Sequence, residues 1–309
     1  MAPVSLIRPT SVNVVQDLNK TGILRRFLQG MAYCPSNISG TNEELEKIMR
    51  AEMNNRNICC PQLEKTLHLA ASLIELGYHD CTLTEKTNIA LYNWYLIYID
   101  DMSSKDTGPF MAFQERFLRR MPQLNPVLEA LVEVLMRIYE LYDLPTANSI
   151  LSATFNFVNS TCIEPEIETL PLTRGLVRFP WFLRDQTGVA IAFALLLFPK
   201  SKNIGVTDYI QALSDMNFWI SVTNDILSFH KEELAGERAN YVYNRAYIED
   251  KVPLSVLAEM SQELFESRNA VYAALAHCPQ AADVWHTWEQ GYVRWHIDQK
   301  RYKLSELSL

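Results

Sequence analysis

An all-α fold is predicted by two features of this 309-residue chain. Apolar residues return at helical spacing (i, i+3, i+4, i+7) in one segment after another. Strand signals are nearly absent: no run of alternating residues closes on Asn-Gly or Asp-Gly. With 10 Gly and 14 Pro, collagen-like, linker-rich and disordered classes are set aside. At this length and 48% hydrophobic residues the chain can bury a sizeable core.

In chain order, the first predicted helix covers 86–101 and includes the strongly apolar LYNWYLIYID. Asn125-Pro126 then supplies a cap followed by proline at the first helical position. Leu128, Leu131, Val132, Leu135, Ile138, Tyr139 and Tyr142 give that helix one buried stripe, and Pro145 is expected to end it. Another helix is expected over 146–162. The next, over 182–198, holds the most apolar run, the ten residues 189–198 between Gly188 and Pro199. That run is too short to cross a bilayer and reads as a buried helix. Further helices are expected over 207–234, 253–277 and 281–300. With no repeat, low-complexity segment or linker, the expectation is a single domain over 1–309, its first 30 or so residues flexible.

The 28 Lys and Arg stand against 36 Asp and Glu, a net charge of −8. That argues against nucleic-acid binding, which normally uses a basic surface, and it would repel an anionic substrate. Six cysteines, at 34, 59, 60, 81, 162 and 278, show no C-x-x-C pair or metal-ligand spacing. They read as reduced, mostly buried thiols. The opening MAPVSLIRPTSVNVVQDLNK lacks the apolar core of a secretory signal, so the cytosol is expected.

Two polar clusters break the amphipathic pattern. Asp100 and Asp101 end a strongly apolar helix, where the negative end of the macrodipole disfavours each by roughly 0.3–1 kcal/mol. A bound divalent cation would reverse that sign. Taken alone, the pair reads more readily as the start of a polar loop. The second cluster is Asn224, Ser228 and Glu232, which recur at i, i+4 and i+8 and share one helix stripe. An amide oxygen, a hydroxyl and a carboxylate are hard ligands that suit Mg²⁺ rather than Zn²⁺. The preceding Phe218, Trp219, Ile220 and Val222 belong to a buried helix, so the stripe is expected to face an internal cleft; the alternative is a solvated face with an ordinary Lys-Glu pair. The histidines, at 68, 79, 230, 277, 286 and 296, form no H-E-x-x-H and read as ordinary surface or core residues. No nucleophile elbow, P-loop, G-x-G-x-x-G or D-x-D-D motif is present.

The string NDILSFHKE resembles the N-D-x-x-S-x-x-x-E metal motif of class I terpene synthases, with the lysine that precedes its glutamate. Asp100-Asp101 resembles their aspartate-rich motif. GYVRWHIDQKRYKLSEL resembles the C-terminal segment of the trichodiene synthase-like fungal sesquiterpene synthases, with Arg301-Tyr302 at the family's Arg-Tyr pair. FPWFLRDQTG places Arg184 at the arginine that senses diphosphate. These matches span about 94–307 in the right order.

The resemblance implies a class I helical bundle around a central apolar cavity, and a sesquiterpene synthase that ionises and cyclises farnesyl diphosphate. It implies Asp100, Asn224, Ser228 and Glu232 as ligands of a trinuclear Mg²⁺ cluster, for which Mn²⁺ can substitute. Arg184, Lys231, Arg301 and Tyr302 would hold the diphosphate, with Asp101 pairing with Arg301 on closure. The family's helix break just after its sensing arginine is implied here too, and Gly188, four residues beyond Arg184, would aim a backbone carbonyl at the developing cation, with Thr187 as linker. The −8 chain would attract Mg²⁺, which recruits the anion. Trp94, Tyr98 and Tyr292 are candidate aromatic guides, each worth ~0.5–2 kcal/mol by cation–π attraction. The family's further acid is missing, since Met102, Ser103 and Ser104 follow the pair and Asp106 comes too late to count on as a ligand. Relatives of this kind are often dimers, so a homodimer is admitted. The competing readings are a chain-elongating prenyltransferase, which would need a second aspartate-rich motif, and a non-catalytic helical protein that binds prenyl diphosphates.

Overall fold

The computed structural model describes residues 19–34 and 38–307. Among them the α-helices run in order α1 (Lys20–Gly30), α2 (Glu43–Asn55), α3 (Pro61–Gly77), α4 (Leu83–Met102), α5 (Thr107–Met111), α6 (Phe113–Leu118), α7 (Pro126–Leu141), α8 (Leu144–Ile167), α9 (Phe179–Thr187), α10 (Ala190–Leu195), α11 (Val206–Tyr209), α12 (Leu213–Ala235), α13 (Tyr241–Glu249), α14 (Pro253–Leu275) and α15 (Pro279–Asp298). No strand occurs among the described residues, so the all-α expectation holds.

Local chemistry sets the helix ends. Thr82 opens α4 with a reciprocal capping box: its hydroxyl accepts from the Glu85 amide at 3.3 Å, and Glu85 accepts from the Thr82 amide at 2.8 Å. Asn125 caps α7 through the Val127 amide at 2.8 Å, as its sequence predicts. Pro145 does not end α7. It sits in the first turn of α8, capped by Asp143, because proline's missing N–H is harmless there. Gly236, with φ +78, takes the left-handed conformation that closes α12.

Four further expectations need correction. The helix over 182–198 is two helices, with segments Phe179–Thr187 and Ala190–Lys202 bent by 58° at Gly188-Val189. The stretch over 207–234 is interrupted by a 3₁₀ turn before α12 begins. Flexibility over the first 30 or so residues does not extend to α1, whose Asn19 cap accepts from the Gly22 amide at 2.7 Å and whose Ile23, Leu24 and Phe27 are buried; residues 1–18 lie outside the described part. The cysteines are free, as expected, but only Cys81 and Cys162 are buried.

α4 packs between α3 and α7, and α15 lies across α3. α12 is held by α10, α14 and α15. Where α3 and α15 cross, Gly291 lets the backbones meet: a Cβ there would stand 2.1 Å from the Leu76 carbonyl oxygen. No single helix among the described residues is long and apolar enough to cross a membrane, and the 189–198 run is buried in the core apart from Val189, Ile191 and Phe193, which are half-buried.

Candidate active site

A cavity of about 610 Å³ lies between α3, α4, α8, the α9–α10 break, α12 and α15, within the ~300–1,000 Å³ of small-molecule sites. Its wall includes the apolar side chains of Leu69, Leu73, Leu96, Phe157, Phe193 and Trp295. Asp100 on α4 and Glu232 on α12 share this lining with Arg184, Lys231 and Arg301, and Asp100 is near enough to all three cations to feel their charge.

On α4 the residues that face this space are Asn93, Leu96, Ile97 and Asp100, an i, i+3, i+4, i+7 stripe. Asp100 is exposed to the cavity yet crowded by surrounding protein. Burial and then Asp101 raise its pKa, while Arg301, Lys231 and Arg184 pull the other way. Asp101 belongs to the next face: it accepts from Gln62 Nε2 at 2.5 Å and lies 3.8 Å from Arg301 Nη2. Trp94 and Tyr98 share that face rather than the Asp100 face, and they do not line the cavity. The Trp94 indole donates to the Leu63 carbonyl at 2.8 Å, and the Tyr98 hydroxyl accepts from Asn125 Nδ2 at 2.9 Å. Their assignment as cation guides is therefore corrected to core. Tyr292 does line the cavity, packed flat on Trp288 with ring centroids 4.7 Å apart. Asp106 is exposed, in the N-cap position of α5 and away from the cavity.

α12 brings Asn224 and Glu232 into the cavity wall, with Ser228 buried between them and its Oγ without a partner. Glu232 accepts from Asn240 Nδ2 at 2.9 Å and stands 3.6 Å from Lys231 Nζ. Lys231 in turn lies over the Tyr302 ring, 5.9 Å from its centroid. Arg184 forks onto Asp225, with Nε 2.8 Å and 2.9 Å from the two oxygens, and its Nη2 reaches the Ser221 carbonyl at 3.1 Å and Asn224 Oδ1 at 3.4 Å. Burial pushes Asp225 up to about 6, with Arg184 pulling it down. Gly188, just past α9, packs so closely on Arg184 that a Cβ would stand 2.6 Å from its Nη1. Thr187 lies in the wall beside it, its hydroxyl donating to the Leu183 carbonyl at 3.0 Å.

Several residues of the site carry no signal in the sequence. Asp225 sits inside the motif, but its spacing does not place it with Asn224, Ser228 and Glu232 on their stripe. Glu164 and Glu168 reach the cavity from α8, although nothing in their local pattern separates them from a solvated face. Asn240 was hidden in a loop. His296 had read as an ordinary histidine, yet it is fully buried and touches Asn224. Burial holds its ring neutral, the pKa pushed down to about 3.

The donor set suits a hard divalent cation. Among the described residues no three His, Cys, Asp or Glu side chains cluster as a metal site. The cavity lining instead holds one carboxylate from α4 with an amide and a carboxylate from α12, and the unpartnered Ser228 hydroxyl lies buried on α12 between the last two. Ser221 and Thr223 on the same helix also carry unpartnered hydroxyls, so what sets Ser228 apart is its place in the stripe between Asn224 and Glu232, where its oxygen is free to serve a cation.

The sequence profile described as trichodiene synthase (TRI5) matches residues 47–308. Terpene synthase BipA of Cochliobolus sativus is 35% identical over 223 residues, covering 71% of this chain and 68% of that one. An (E)-beta farnesene synthase of Metarhizium brunneum is 28% identical over 294 residues, 93% of this chain and 89% of that one. Among solved structures, the linalool/nerolidol synthase of Streptomyces clavuligerus in complex with 2-fluorogeranyl diphosphate superposes with a TM-score of 0.66 at 13% identity, over 86% of this chain and 98% of that one. The last likeness shows the fold. Members of this family use a divalent metal ion. The chain belongs to the trichodiene synthase family and is a class I terpene cyclase, a lyase that acts on prenyl diphosphates.

Proposed function

We propose that this single-domain, cytoplasmic enzyme ionises farnesyl diphosphate with the help of Mg²⁺ and cyclises the carbocation to a sesquiterpene or sesquiterpene alcohol. The observation that carries the reading is the make-up of a single cavity: Asp100, Glu232, Arg184, Lys231 and Arg301 share its lining with Leu, Phe, Trp and Tyr side chains. Asp100, Asn224, Ser228 and Glu232 would hold a cluster of three Mg²⁺ ions, which when bound supply positive charge to neutralise the departing diphosphate. Arg184, Lys231, Arg301 and the Tyr302 hydroxyl donate to the same anion, the guanidinium forks gripping two oxygens at once. Gly188 follows the bend with its backbone at the seam between the two halves, so its carbonyl is the group assigned to the nascent cation, with Thr187 linking it to Arg184. Apolar walls keep water from the cation, and the faces of Tyr292 and Trp295 stabilise positive charge as it migrates. The farnesene synthase relative and the neighbour solved with a fluorinated geranyl diphosphate support a prenyl diphosphate as substrate.

Incubation with geranyl, farnesyl and geranylgeranyl diphosphates plus Mg²⁺, followed by gas chromatography and mass spectrometry, tests the proposal. The expected result is a C15 hydrocarbon or alcohol from the farnesyl substrate, abolished by EDTA. Asn224→Ala and Glu232→Ala are expected to lose turnover with unchanged helical circular dichroism. Full activity in either variant, or product formation in excess EDTA, overturns it.

A further inference from the structure

His296 is completely buried on α15, with ring centroids 4.5 Å from both Tyr292 and Tyr302. Its Nδ1 lies 2.8 Å from the Tyr292 carbonyl oxygen, one turn back on the same helix. A carbonyl only accepts, so the ring proton must sit on Nδ1. In the neutral ring Nε2 is then a bare acceptor, and it faces Asn224 Nδ2 at 3.1 Å. The amide's other end, Oδ1, lies 3.4 Å from the Arg184 guanidinium, which can only donate. Turning the Asn224 amide over would set oxygen against the Nε2 lone pair and N–H against N–H. Both neighbours therefore select one orientation, and it is the one that leaves the amide oxygen on the side of Arg184 and the cavity.

We propose that His296 is a positioning residue that locks the Asn224 amide with its oxygen, the only end able to ligate a cation, turned toward the cavity. This rests on the assignment of Asn224 as a metal ligand. An asparagine ligand has a weakness that aspartate lacks: half of its rotational states present N–H groups to the cation. Among the bonds of this site, the chain Tyr292 C=O, His296, Asn224 removes those states before the cation arrives. The same buried ring also packs against Tyr302, so the diphosphate end and the metal end of the site share one rigid support.

His296→Phe removes the acceptor and keeps a planar ring, while His296→Gln puts an amide oxygen near the place of Nε2. The assay is thermal stabilisation of the purified full-length protein by Mg²⁺ with inorganic pyrophosphate, followed by steady-state kinetics. His296→Phe is expected to need at least tenfold more Mg²⁺ for half-maximal stabilisation and to lose kcat with little change in KM. His296→Gln is expected to recover most of both. A Phe variant with wild-type Mg²⁺ dependence overturns the assignment, as does failure of Gln to rescue. Absence of any Mg²⁺–pyrophosphate stabilisation in the wild type overturns the metal reading, and this assignment with it. Should the Phe variant not fold, ¹⁵N spectra of the histidine-labelled wild type decide: a protonated Nδ1 and bare Nε2 at His296 are expected, and a protonated Nε2 overturns the proposal.

Discussion

Arg184 Nε is shared between the two carboxylate oxygens of Asp225, at 2.8 Å and 2.9 Å, deep in the wall between α9 and α12. The arginine assigned to the diphosphate thus has a resident counter-charge, which keeps a buried cation folded and aimed before any anion binds. Burial works against the Arg184 charge, but Asp225 outweighs it and the guanidinium pKa is raised.

Removing that partner tests its role. Asp225→Asn strands a buried positive charge, a loss of about 3–5 kcal/mol by analogy with other broken buried pairs. Urea denaturation is expected to show it in the free protein, and pyrophosphate with Mg²⁺ is expected to return part of it. A loss below 1 kcal/mol would mean that Arg184 finds adequate partners in Ser221 and Asn224 alone.

Gly188 tests the close approach at the helix bend. Its φ of −94 is open to alanine, so the backbone itself raises no objection. The obstacle is Arg184: the new Cβ would stand 2.6 Å from Nη1 and 2.9 Å from the carbonyl oxygen. Gly188→Ala is expected to displace the guanidinium and lower kcat/KM roughly 100-fold, the scale of an ångström-sized misplacement. Circular dichroism should barely change, while the contact with the Arg184 carbonyl should lower the melting temperature modestly.

How far the sequence predicted this molecule depended on how local each cause was. Asn125-Pro126 and the Asn224–Ser228–Glu232 stripe are short-range patterns, and both are where their spacing puts them. The bend at Gly188-Val189 leaves no mark in the periodicity, because 182–198 is apolar on nearly every face, and only the family resemblance points to a break after Arg184. Trp94 and Tyr98 were misjudged by a single step: Asp100 and Asp101 are 100° apart on α4, and the two aromatics align with the second. His296 and Asn240 could not be found from their neighbours at all. Their partners lie 72 residues away for His296 and across a chain reversal for Asn240, so only the tertiary fold makes them part of the site.

That one-step difference on α4 predicts two separable phenotypes. Phe157 lines the cavity and Trp94 does not. Phe157→Leu is expected to change the ratio of terpene products with a stability loss of about 1–2 kcal/mol. Trp94→Phe breaks the indole bond to Leu63 and is expected to lose about 1–3 kcal/mol with product ratios unaltered. Gas chromatography of the two extracts, beside urea curves, checks both; a changed product profile in the Trp94 variant would restore it to the cavity.

The α3–α15 crossing makes a purely structural prediction. A Cβ at Gly291 would meet the Leu76 carbonyl at 2.1 Å and the Gly77 Cα at 2.9 Å, and backbone cannot swing aside as a side chain can. Gly291→Ala is expected to destabilise by about 3 kcal/mol or more. Because α15 also carries Tyr292 and His296, any folded fraction should show weakened Mg²⁺–pyrophosphate stabilisation as well.

The acid that the aspartate-rich segment lacks has a neighbour from another helix, Glu164 of α8, and its titration gives the metal-free protein a pH dependence of definite sign. Burial, then Asp100, then Glu168 push the Glu164 carboxyl from its ordinary 4.5 up to about 7, against the pull of Arg184. Between those values the unfolded chain has released the proton and the folded chain still holds it. The folded state therefore binds more protons, and stability falls as pH rises from about 4.5 through about 7, then levels. Glu164→Gln removes its share of the dependence and leaves that of Asp100 and Asp225, whose carboxyls burial also raises. At pH 8 the variant is expected to be more stable than the metal-free wild type by about 1–2 kcal/mol, less than the full shift would give because the cavity's water screens the charge. The gap should close as pH falls toward 5. Mg²⁺ with pyrophosphate should reverse the order at pH 8, since added positive charge in the cavity favours the ionised carboxylate and the amide cannot answer it. Urea midpoints at four pH values, with and without Mg²⁺ and pyrophosphate, give the whole pattern; identical curves for the two proteins would show that Glu164 stays ionised in ordinary solvent and takes no part in the electrostatics of the site.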